Sequence, residues 1–136
     1  MMPNVLIVDD DPEHLRKFGE SFRLQGCSIL SIGDAAVEKR KAEILGFRPD
    51  LAIVDSRFEG NDLEGLSIIR RLQEMVPRVP IVVCSILADE GAARRRWFES
   101  KYREAPHVCG TLGKNPFPSA AELLAYIETN RSAMGE

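Results

Sequence analysis

Two patterns of apolar residues alternate along the chain. Short runs that are apolar at nearly every position and rich in Val and Ile are typical of strands buried inside a parallel sheet. Such runs predict strands at residues 4–8, 28–32, 51–55, 81–85 and 107–112. The stretches between them place apolar residues three to four positions apart, which is the spacing of one helix face. The chain therefore predicts five strands, each followed by a helix.

The predicted helices are marked by their ends as well as by their periodicity. They cover about 12–26, about 35–45, 63–75, 93–104 and a last segment after Ser119. Gly26 is a residue type that commonly ends helices, and it closes the first one. Ser119 and Glu122 have the spacing of a capping box, which predicts the start of the last helix. The second helix has only a thin apolar stripe.

Strands that alternate with helices in this way form βαβ units, in which helices cover both faces of a parallel sheet. At 136 residues and 44% hydrophobic content, the chain has room for one such domain, which we take to be residues 1–136. Open sheets of this kind bind ligands beyond the carboxyl ends of their strands. Functional residues are therefore expected at those ends.

The composition of the chain argues against several classes of protein. The formal net charge of -3 provides no overall attraction to nucleic acid or to anionic membranes. The apolar runs are too short to span a membrane, and the N-terminus lacks a signal-peptide pattern, so we expect a cytoplasmic protein. Cys27, Cys84 and Cys109 have no metal-ligand spacing, and we expect them to be reduced.

Acidic residues collect where two predicted strands end. Asp9 and Asp10 follow the first strand, and Asp55 ends the third. Asp11 precedes Pro12 and is explained as a helix N-cap, but the other three carboxylates would repel one another at one edge of the sheet. A divalent cation bound by oxygen, Mg²⁺ or Mn²⁺, is the simplest compensation. A solvated acidic rim without a metal is the alternative.

Two further polar residues stand at neighbouring strand ends. Ser85 ends the fourth predicted strand, and Lys114 follows the fifth. A lysine, a hydroxyl and a metal ion around one carboxylate form a site for a phosphoryl group, because the cations neutralise charge on its oxygens during in-line attack. Each residue alone has a simpler explanation, as a strand end or an exposed loop lysine. Together they indicate phosphoryl chemistry.

The stretches VLIVDDDP, RPDLAIVD, PIVVCS and GK, with PF one residue later, resemble the receiver domain of two-component response regulators over nearly the whole chain. The resemblance implies a flavodoxin-like, doubly wound (βα)5 fold with strand order 2-1-3-4-5. It also implies that Asp55 accepts a phosphoryl group from a phosphohistidine, with Ser85 as the switch hydroxyl and Lys114 as the phosphate-pairing lysine. Mg²⁺ or Mn²⁺ would be bound by Asp9, Asp10, Asp55 and the backbone carbonyl of Arg57.

Several positions depart from the family pattern. Asn115 separates the lysine from the following proline, in a loop that often contains a cis peptide. The loop after the acceptor aspartate is longer than usual and reaches Gly65 ten residues on. Thr111 stands three residues before the lysine, where an aromatic switch residue is usual. Ile86 replaces a small residue, and with Arg57 it is expected to cover the phosphoryl site partly and to slow hydrolysis.

The resemblance also implies partners. A sensor histidine kinase or a phosphotransfer protein would supply the phosphoryl group, and an unknown downstream protein would bind the face from the fourth to the fifth helix. The stretch ARRRWFESKYRE is the candidate output surface, with a solvated helix face as the simpler interpretation. We expect no membrane association and no direct nucleic-acid binding, and we leave open a homodimer and whether the receiver stands alone or is excised from a longer protein.

Two other functions compete with this interpretation. A haloacid-dehalogenase-type phosphohydrolase would use Asp9 as the nucleophile and Asp11 as the acid/base, but the chain is short and has no late acidic pair. A receiver-like binding module would keep the fold without being phosphorylated. The favoured interpretation is a signalling domain rather than an enzyme, catalysing only its own phosphorylation and slow dephosphorylation.

Overall fold

A computed structural model describes residues 2–58, 60–105 and 108–133 of the chain. The strands are β1 (Asn4–Val8), β2 (Ser28–Ile32), β3 (Leu51–Asp55), β4 (Ile81–Cys84) and β5 (Val108–Leu112). The helices are α1 (Pro12–Leu24), α2 (Lys41–Phe47), α3 (Glu64–Met75), α4 (Ala92–Tyr102) and α5 (Ala120–Ala133). Strands and helices alternate as predicted.

The five strands form one parallel sheet in the order β2-β1-β3-β4-β5. This confirms the predicted doubly wound, flavodoxin-like (βα)5 fold with order 2-1-3-4-5. The order places β1, β3 and β4 in the interior of the sheet. Their carboxyl ends, where the acidic residues and Ser85 lie, therefore meet at the centre of one edge.

Helices cover both faces of the sheet, and each face has its own apolar core. In β1, Leu6 and Val8 belong to one core, and Val5 and Ile7 to the other. The first core also contains Ile44 of α2, Ile68, Ile69 and Leu72 of α3, and Phe98 of α4. The second contains Phe18 and Phe22 of α1, and Leu123 and Ile127 of α5. Burial on both faces explains why β1 is apolar at every position from 5 to 8.

Some predicted boundaries were wrong. The fourth strand ends at Cys84 rather than at Ser85, because the Ser85 side chain caps a 3₁₀ turn, Ile86–Asp89, by accepting the Leu87 N–H. The second helix, predicted at about 35–45, is a 3₁₀ turn, Val37–Arg40, followed by α2. Only one buried side chain in each of these two segments contacts the core, which is too little apolar surface to hold a longer helix.

Other ends differ by one or two residues. The third helix begins at Glu64 rather than 63, and the fourth covers Ala92–Tyr102 rather than 93–104. The first helix ends at Leu24, and the predicted stop signal, Gly26, has a positive φ of 83° that favours glycine. The predicted start of the fifth strand, His107, lies outside the described residues. The predicted cap of the last helix is confirmed, since Ser119 Oγ accepts the Glu122 N–H at 3.1 Å.

Within the described ranges, no helix combines the length and the apolar character that crossing a membrane requires. The three cysteines are unpaired with one another. Cys27 and Cys84 are buried, and Cys109 is half-buried. Burial raises the pKa of all three thiols above the ordinary value, so they are protonated at neutral pH.

Candidate functional site

Three carboxylates meet at the carboxyl ends of β1 and β3. The register pairs Val8 with Val54, so Asp9 and Asp55 follow side by side. One carboxylate oxygen from each of Asp9, Asp10 and Asp55 lies within 4.8 Å of the others. Asp9 and Asp55 are buried, whereas Asp10 is exposed. An all-oxygen set at this spacing fits a divalent cation such as Mg²⁺.

Lys114 extends into this cluster from the loop after β5. Its Nζ lies 2.8 Å from Asp9 Oδ2 and 3.4 Å from Asp55 Oδ2. Only 3% of the lysine side chain is exposed. Asp9 and Asp55 are about as buried as the lysine, so water does not screen the repulsion between their carboxylates. The ammonium group of Lys114 offsets that repulsion.

His14 belongs to the same site, although the sequence analysis did not identify it. Its Nδ1 lies 2.9 Å from Lys114 Nζ, and its Nε2 lies 3.5 Å from Asp11 Oδ2. His14 stands in the first turn of α1, and that turn begins at the same edge of the sheet as the aspartates. The sequence could have indicated His14 as a site residue, because it stands in the first helical turn after the acidic residues that follow β1.

The carboxyl group of Asp55 is shifted far from its ordinary ionisation. Burial is the largest influence and raises the pKa of Asp55 from 3.8 to about 7; the ammonium of Lys114 lowers the pKa, and the carboxylate of Asp9 raises it. Burial therefore favours the protonated form of Asp55 when no cation is bound. A bound divalent cation would favour the ionised form.

We expect wild-type protein to lose stability relative to Asp55→Asn when the pH rises from about 5 to about 8 in metal-free buffer. Between the unfolded pKa of 3.8 and the folded pKa of about 7, the folded state holds a proton that the unfolded chain releases. The stability from that proton is complete below the lower value and is lost as the pH rises through the upper one. The expected loss is roughly 2 kcal/mol in the free energy of unfolding, measured with urea at both pH values.

The Asp55→Asn variant is a suitable reference, because the amide keeps the shape of the side chain and does not titrate in this range. Changes from titrating groups that lie far from Asp55 then cancel in the difference between the two proteins. Parallel pH profiles for wild type and variant would show that the pKa of Asp55 is close to its ordinary value.

Ser85 lies at the end of β4 and forms its hydrogen bonds away from the carboxylates. Its Oγ accepts the Leu87 N–H at 3.1 Å and the hydroxyl of Ser56 at 2.5 Å. Both serines are fully buried. Ser56, which directly follows Asp55, was not singled out in the sequence, since its contact depends on the pairing of Asp55 with Cys84 across β3 and β4.

The long loop after β3 is held by Arg57. The guanidinium group donates to Asp62 and, at 3.2 Å, to Glu90 Oε1. The backbone N–H of Arg57 donates to Asp55 Oδ1 at 3.3 Å. The extra loop residues thus provide Asp62 as a partner that orients Arg57 across the site. The predicted role of the Arg57 carbonyl as a metal ligand stays a prediction.

A cavity of about 170 Å³ opens at this edge of the sheet. Its lining includes Asp10, Asp55 and Lys114, with Arg57 and Ile86 beside them. Ile86 is 39% exposed. The side chains of Asp55, Asp10 and Lys114 therefore share one opening, with the two predicted covering residues at its rim.

Comparison with known sequences decides the family. A sequence model of the response regulator receiver domain matches residues 5–99. This chain belongs to the response regulator receiver family. The methanol utilization control regulatory protein MoxX of Paracoccus denitrificans is 32% identical to this receiver over 91 residues, which cover 67% of this chain and 40% of that protein.

Further similar proteins are consistent with membership of the receiver family. The transcriptional regulatory protein PrrA of Mycobacterium tuberculosis is 34% identical over 83 residues, covering 61% of this chain and 34% of that protein. Among solved structures, NtrX of Brucella abortus has a TM-score of 0.75 at 22% identity, over 99% of this chain and 29% of that chain. A sensor protein from Polaromonas has a TM-score of 0.71 at 26% identity, over 94% and 98%. The receiver spans less than half the length of the curated relatives it matches.

Tyr102, the last residue of α4, ties this receiver's long loop to that helix. Its hydroxyl lies 2.6 Å from the Asp62 carbonyl and 3.0 Å from the Ser56 carbonyl, and donates its proton to one of them. Tyr102 and Phe98 are fully buried, so these two aromatics belong to the core and not to the predicted output surface. Burial raises the pKa of Tyr102, which keeps the hydroxyl protonated.

The loop after β5 accommodates the additional Asn115 at the surface, where this residue is exposed. The peptide bond between Asn115 and Pro116 is cis. The next residue, Phe117, packs on Phe18 of α1 with ring centroids 4.4 Å apart. Despite the insertion, the lysine still reaches the carboxylates.

At position 111 the receiver has an unsatisfied hydroxyl instead of an aromatic ring. Within the part of the chain that the structure describes, Thr111 Oγ1 is buried and has no hydrogen-bond partner. Replacing Thr111 with Val removes that hydroxyl and preserves the side-chain shape. We expect the free energy of unfolding to rise by about 1 kcal/mol, measured with urea.

A matched control is Thr129→Val, because the Thr129 hydroxyl is exposed and donates to the Ala125 carbonyl at 3.2 Å. That change is expected to alter the stability by less than about 0.5 kcal/mol. Destabilisation by Thr111→Val would mean that the Thr111 hydroxyl has a partner in solution.

Proposed function

We propose that this receiver accepts a phosphoryl group on Asp55 from a phosphohistidine of a sensor histidine kinase or a phosphotransfer protein. The observation that carries the proposal is the buried Asp55 carboxyl, open to the cavity and 3.4 Å from Lys114 Nζ, with two further carboxylates within 4.8 Å. Membership of the receiver family supports the same activity.

In the proposed reaction, an ionised oxygen of Asp55 attacks the phosphorus of the donor. The bond from phosphorus to the imidazole nitrogen breaks, and the imidazole leaves with the bonding electrons. The product is an acyl phosphate on Asp55. Lys114 pairs with the phosphoryl oxygens, and its ammonium stabilises the charge that spreads over them in the transition state.

Asp9, Asp10 and Asp55 would hold Mg²⁺ or Mn²⁺, with the Arg57 carbonyl as a further oxygen ligand. The three carboxylates fit such an ion because they provide only oxygen donors at suitable spacing. When bound, the ion supplies positive charge beside the phosphoryl oxygens. A divalent ion would also favour the ionised form of Asp55, which the attack on phosphorus requires.

Phosphorylation would change the output face through Ser85. A phosphoryl group carries close to two negative charges and competes for the Ser85 hydroxyl, which now contacts Ser56. Ser56 begins the loop after β3, and the Tyr102 hydroxyl connects that loop to α4. A shift of Ser56 would therefore be transmitted to α4. We therefore place the downstream protein on the face from α4 to α5. The exposed arginines of α4 would contribute to it: Arg94, Arg95 and Arg96.

In this view residues 1–136 form a single receiver domain, a signalling domain that catalyses only its own phosphoryl transfer and slow dephosphorylation. The location would be the cytoplasm. Direct contacts with membranes or nucleic acid are not needed for the activity, and a homodimer stays open. Support for one domain comes from β5 and α5, which complete the sheet and its cover beyond the matched residues 5–99.

The test is to incubate the protein with acetyl phosphate and record its intact mass. We expect one added phosphoryl group in the presence of Mg²⁺, and none when a chelator is present. Hydroxylamine should remove the label, as expected for an acyl phosphate. Absence of any label with both acetyl phosphate and a phosphorylated histidine donor would favour the receiver-like binding module that is not phosphorylated.

A further inference from the structure

Asp89 makes a contact that the proposed chemistry has not used. It is the last residue of the 3₁₀ turn Ile86–Asp89, and its Oδ2 accepts the backbone N–H of Lys114 at 2.7 Å. A hydrogen bond from a backbone N–H to a carboxylate is short and strong compared with a neutral one. The contact fixes the backbone of the residue whose side chain enters the acidic cluster.

The contact between Asp89 and Lys114 requires a residue without a side chain at position 113. A Cβ atom added at Gly113 would overlap Asp89 Oδ1 and would lie 3.0 Å from Asp89 Cγ. Any larger residue would therefore push the carboxylate away from the Lys114 N–H. The side chain of Asp89 and the absence of one at position 113 are two separate observations that favour the same arrangement.

The 3₁₀ turn connects Asp89 to the switch position. Ser85 caps the start of the turn, where its Oγ accepts the Leu87 N–H, and Asp89 stands at the end. The backbone N–H of Ser85 also donates to the Leu112 carbonyl at 2.9 Å. Ser85 follows β4 and Lys114 lies in the loop after β5, and the short turn that ends at Asp89 thus connects the two.

We propose that Asp89 is a positioning residue that sets the reach of Lys114 into the phosphoryl site. The inference rests on the proposed function, because it concerns how that site binds a phosphoryl group. The insertion of Asn115 lengthens the loop, and a longer loop has more conformations in which the lysine does not reach the carboxylates. The carboxylate of Asp89 selects the conformation in which Lys114 Nζ lies beside Asp9 and Asp55.

The experiment measures the affinity for beryllofluoride, a mimic of the phosphoryl group, by calorimetry at saturating Mg²⁺. Asp89→Ala is expected to bind beryllofluoride about tenfold more weakly than wild type. Asp89→Asn keeps an acceptor oxygen and is expected to recover most of the affinity, to within about threefold of wild type. Lys114→Ala shows the effect of losing the lysine entirely and is expected to bind the mimic most weakly.

Mg²⁺ affinity, measured separately, distinguishes positioning from general disruption of the site. Asp89→Ala is expected to bind Mg²⁺ at least as tightly as wild type, because the lysine that competes for the aspartates is less well held. Asp50→Ala is the matched control. Asp50 also accepts a backbone N–H, that of Asn4 at 2.8 Å, but at the opposite edge of the sheet. It is expected to keep beryllofluoride affinity within about twofold.

Two results would overturn the inference alone: beryllofluoride affinity unchanged in Asp89→Ala while Lys114→Ala is weakened, or a parallel loss of Mg²⁺ and beryllofluoride affinity in Asp89→Ala. A wild-type protein that binds neither Mg²⁺ nor beryllofluoride would overturn the proposed function, and the inference with it. The two failures are therefore distinguishable in the same set of measurements.

Discussion

Replacing Asp55 with Asn is expected to abolish phosphorylation by acetyl phosphate completely. The amide nitrogen and oxygen of Asn keep the size of the side chain but provide no anionic oxygen to attack phosphorus. Asp55 is the carboxyl group that combines burial, contact with Lys114 and access to the cavity. Intact mass after incubation with Mg²⁺ and acetyl phosphate would show one added phosphoryl group in wild type and none in Asp55→Asn.

Asp11→Asn is the control for this variant. Asp11 lies on the cavity rim, where its Oδ1 accepts the Glu13 N–H at 2.9 Å as the N-cap of α1. Asn is also a good N-cap, so this variant should fold and take up the label as wild type does. Label that persists in Asp55→Asn but disappears in Asp9→Asn would point to the phosphohydrolase alternative and against Asp55 as the acceptor.

Replacing Gly65 with Ala is expected to cost about 3 kcal/mol of the free energy of unfolding. A Cβ atom at this position would lie 2.7 Å from the Asp55 carbonyl oxygen and from Ser56 Cα, and 2.9 Å from the Tyr102 hydroxyl. The first two neighbours are backbone atoms of Asp55 and Ser56 at the end of β3, and they have little freedom to move. Urea unfolding of wild type and variant would measure the loss.

Gly46→Ala provides the comparison, because Gly46 is also helical but has nothing within 4 Å of an added Cβ. That substitution is expected to stabilise the protein by up to about 1 kcal/mol, since alanine has the higher helix propensity. Equal effects at both positions would show that α3 moves away from β3 without cost. In that case the close packing around Gly65 would not be a constraint on the site.

The parallel sheet was predictable from the chain because its central strands, β1, β3 and β4, each contain four consecutive apolar residues, which is typical of strands buried on both faces. The strand order was implied by the resemblance to the receiver family. Each strand of the pattern appears in the structure. The second helix was placed less well, because Val37 and Ile44 are the only side chains that the structure buries in these two segments, and they leave little periodicity to detect. Local composition predicted a helix there, and limited packing shortened it.

The residues of the candidate site could be predicted only in part from the sequence. Asp9 and Asp10 follow β1, and Asp55 ends β3, so the predicted parallel sheet placed all three at the same edge. His14, Ser56 and their contacts with Lys114 and Ser85 involve residues far apart in the chain or hidden beside a more conspicuous one. The spacing of residues along the sequence does not predict such contacts, because they depend on how the side chains are oriented in the folded protein.

The order of residues alone predicts the parallel sheet, the edge that carries the candidate site and the oxygen-rich character of that edge, since these depend on periodicity and on which residues end each strand. Packing in three dimensions decided the rest. It raised the pKa of Asp55 by burial, directed the Ser85 hydroxyl toward Ser56, and moved Tyr102 from an expected surface into the core. These properties depend on distances between elements that are distant in the chain, and such distances arise only when the whole domain folds.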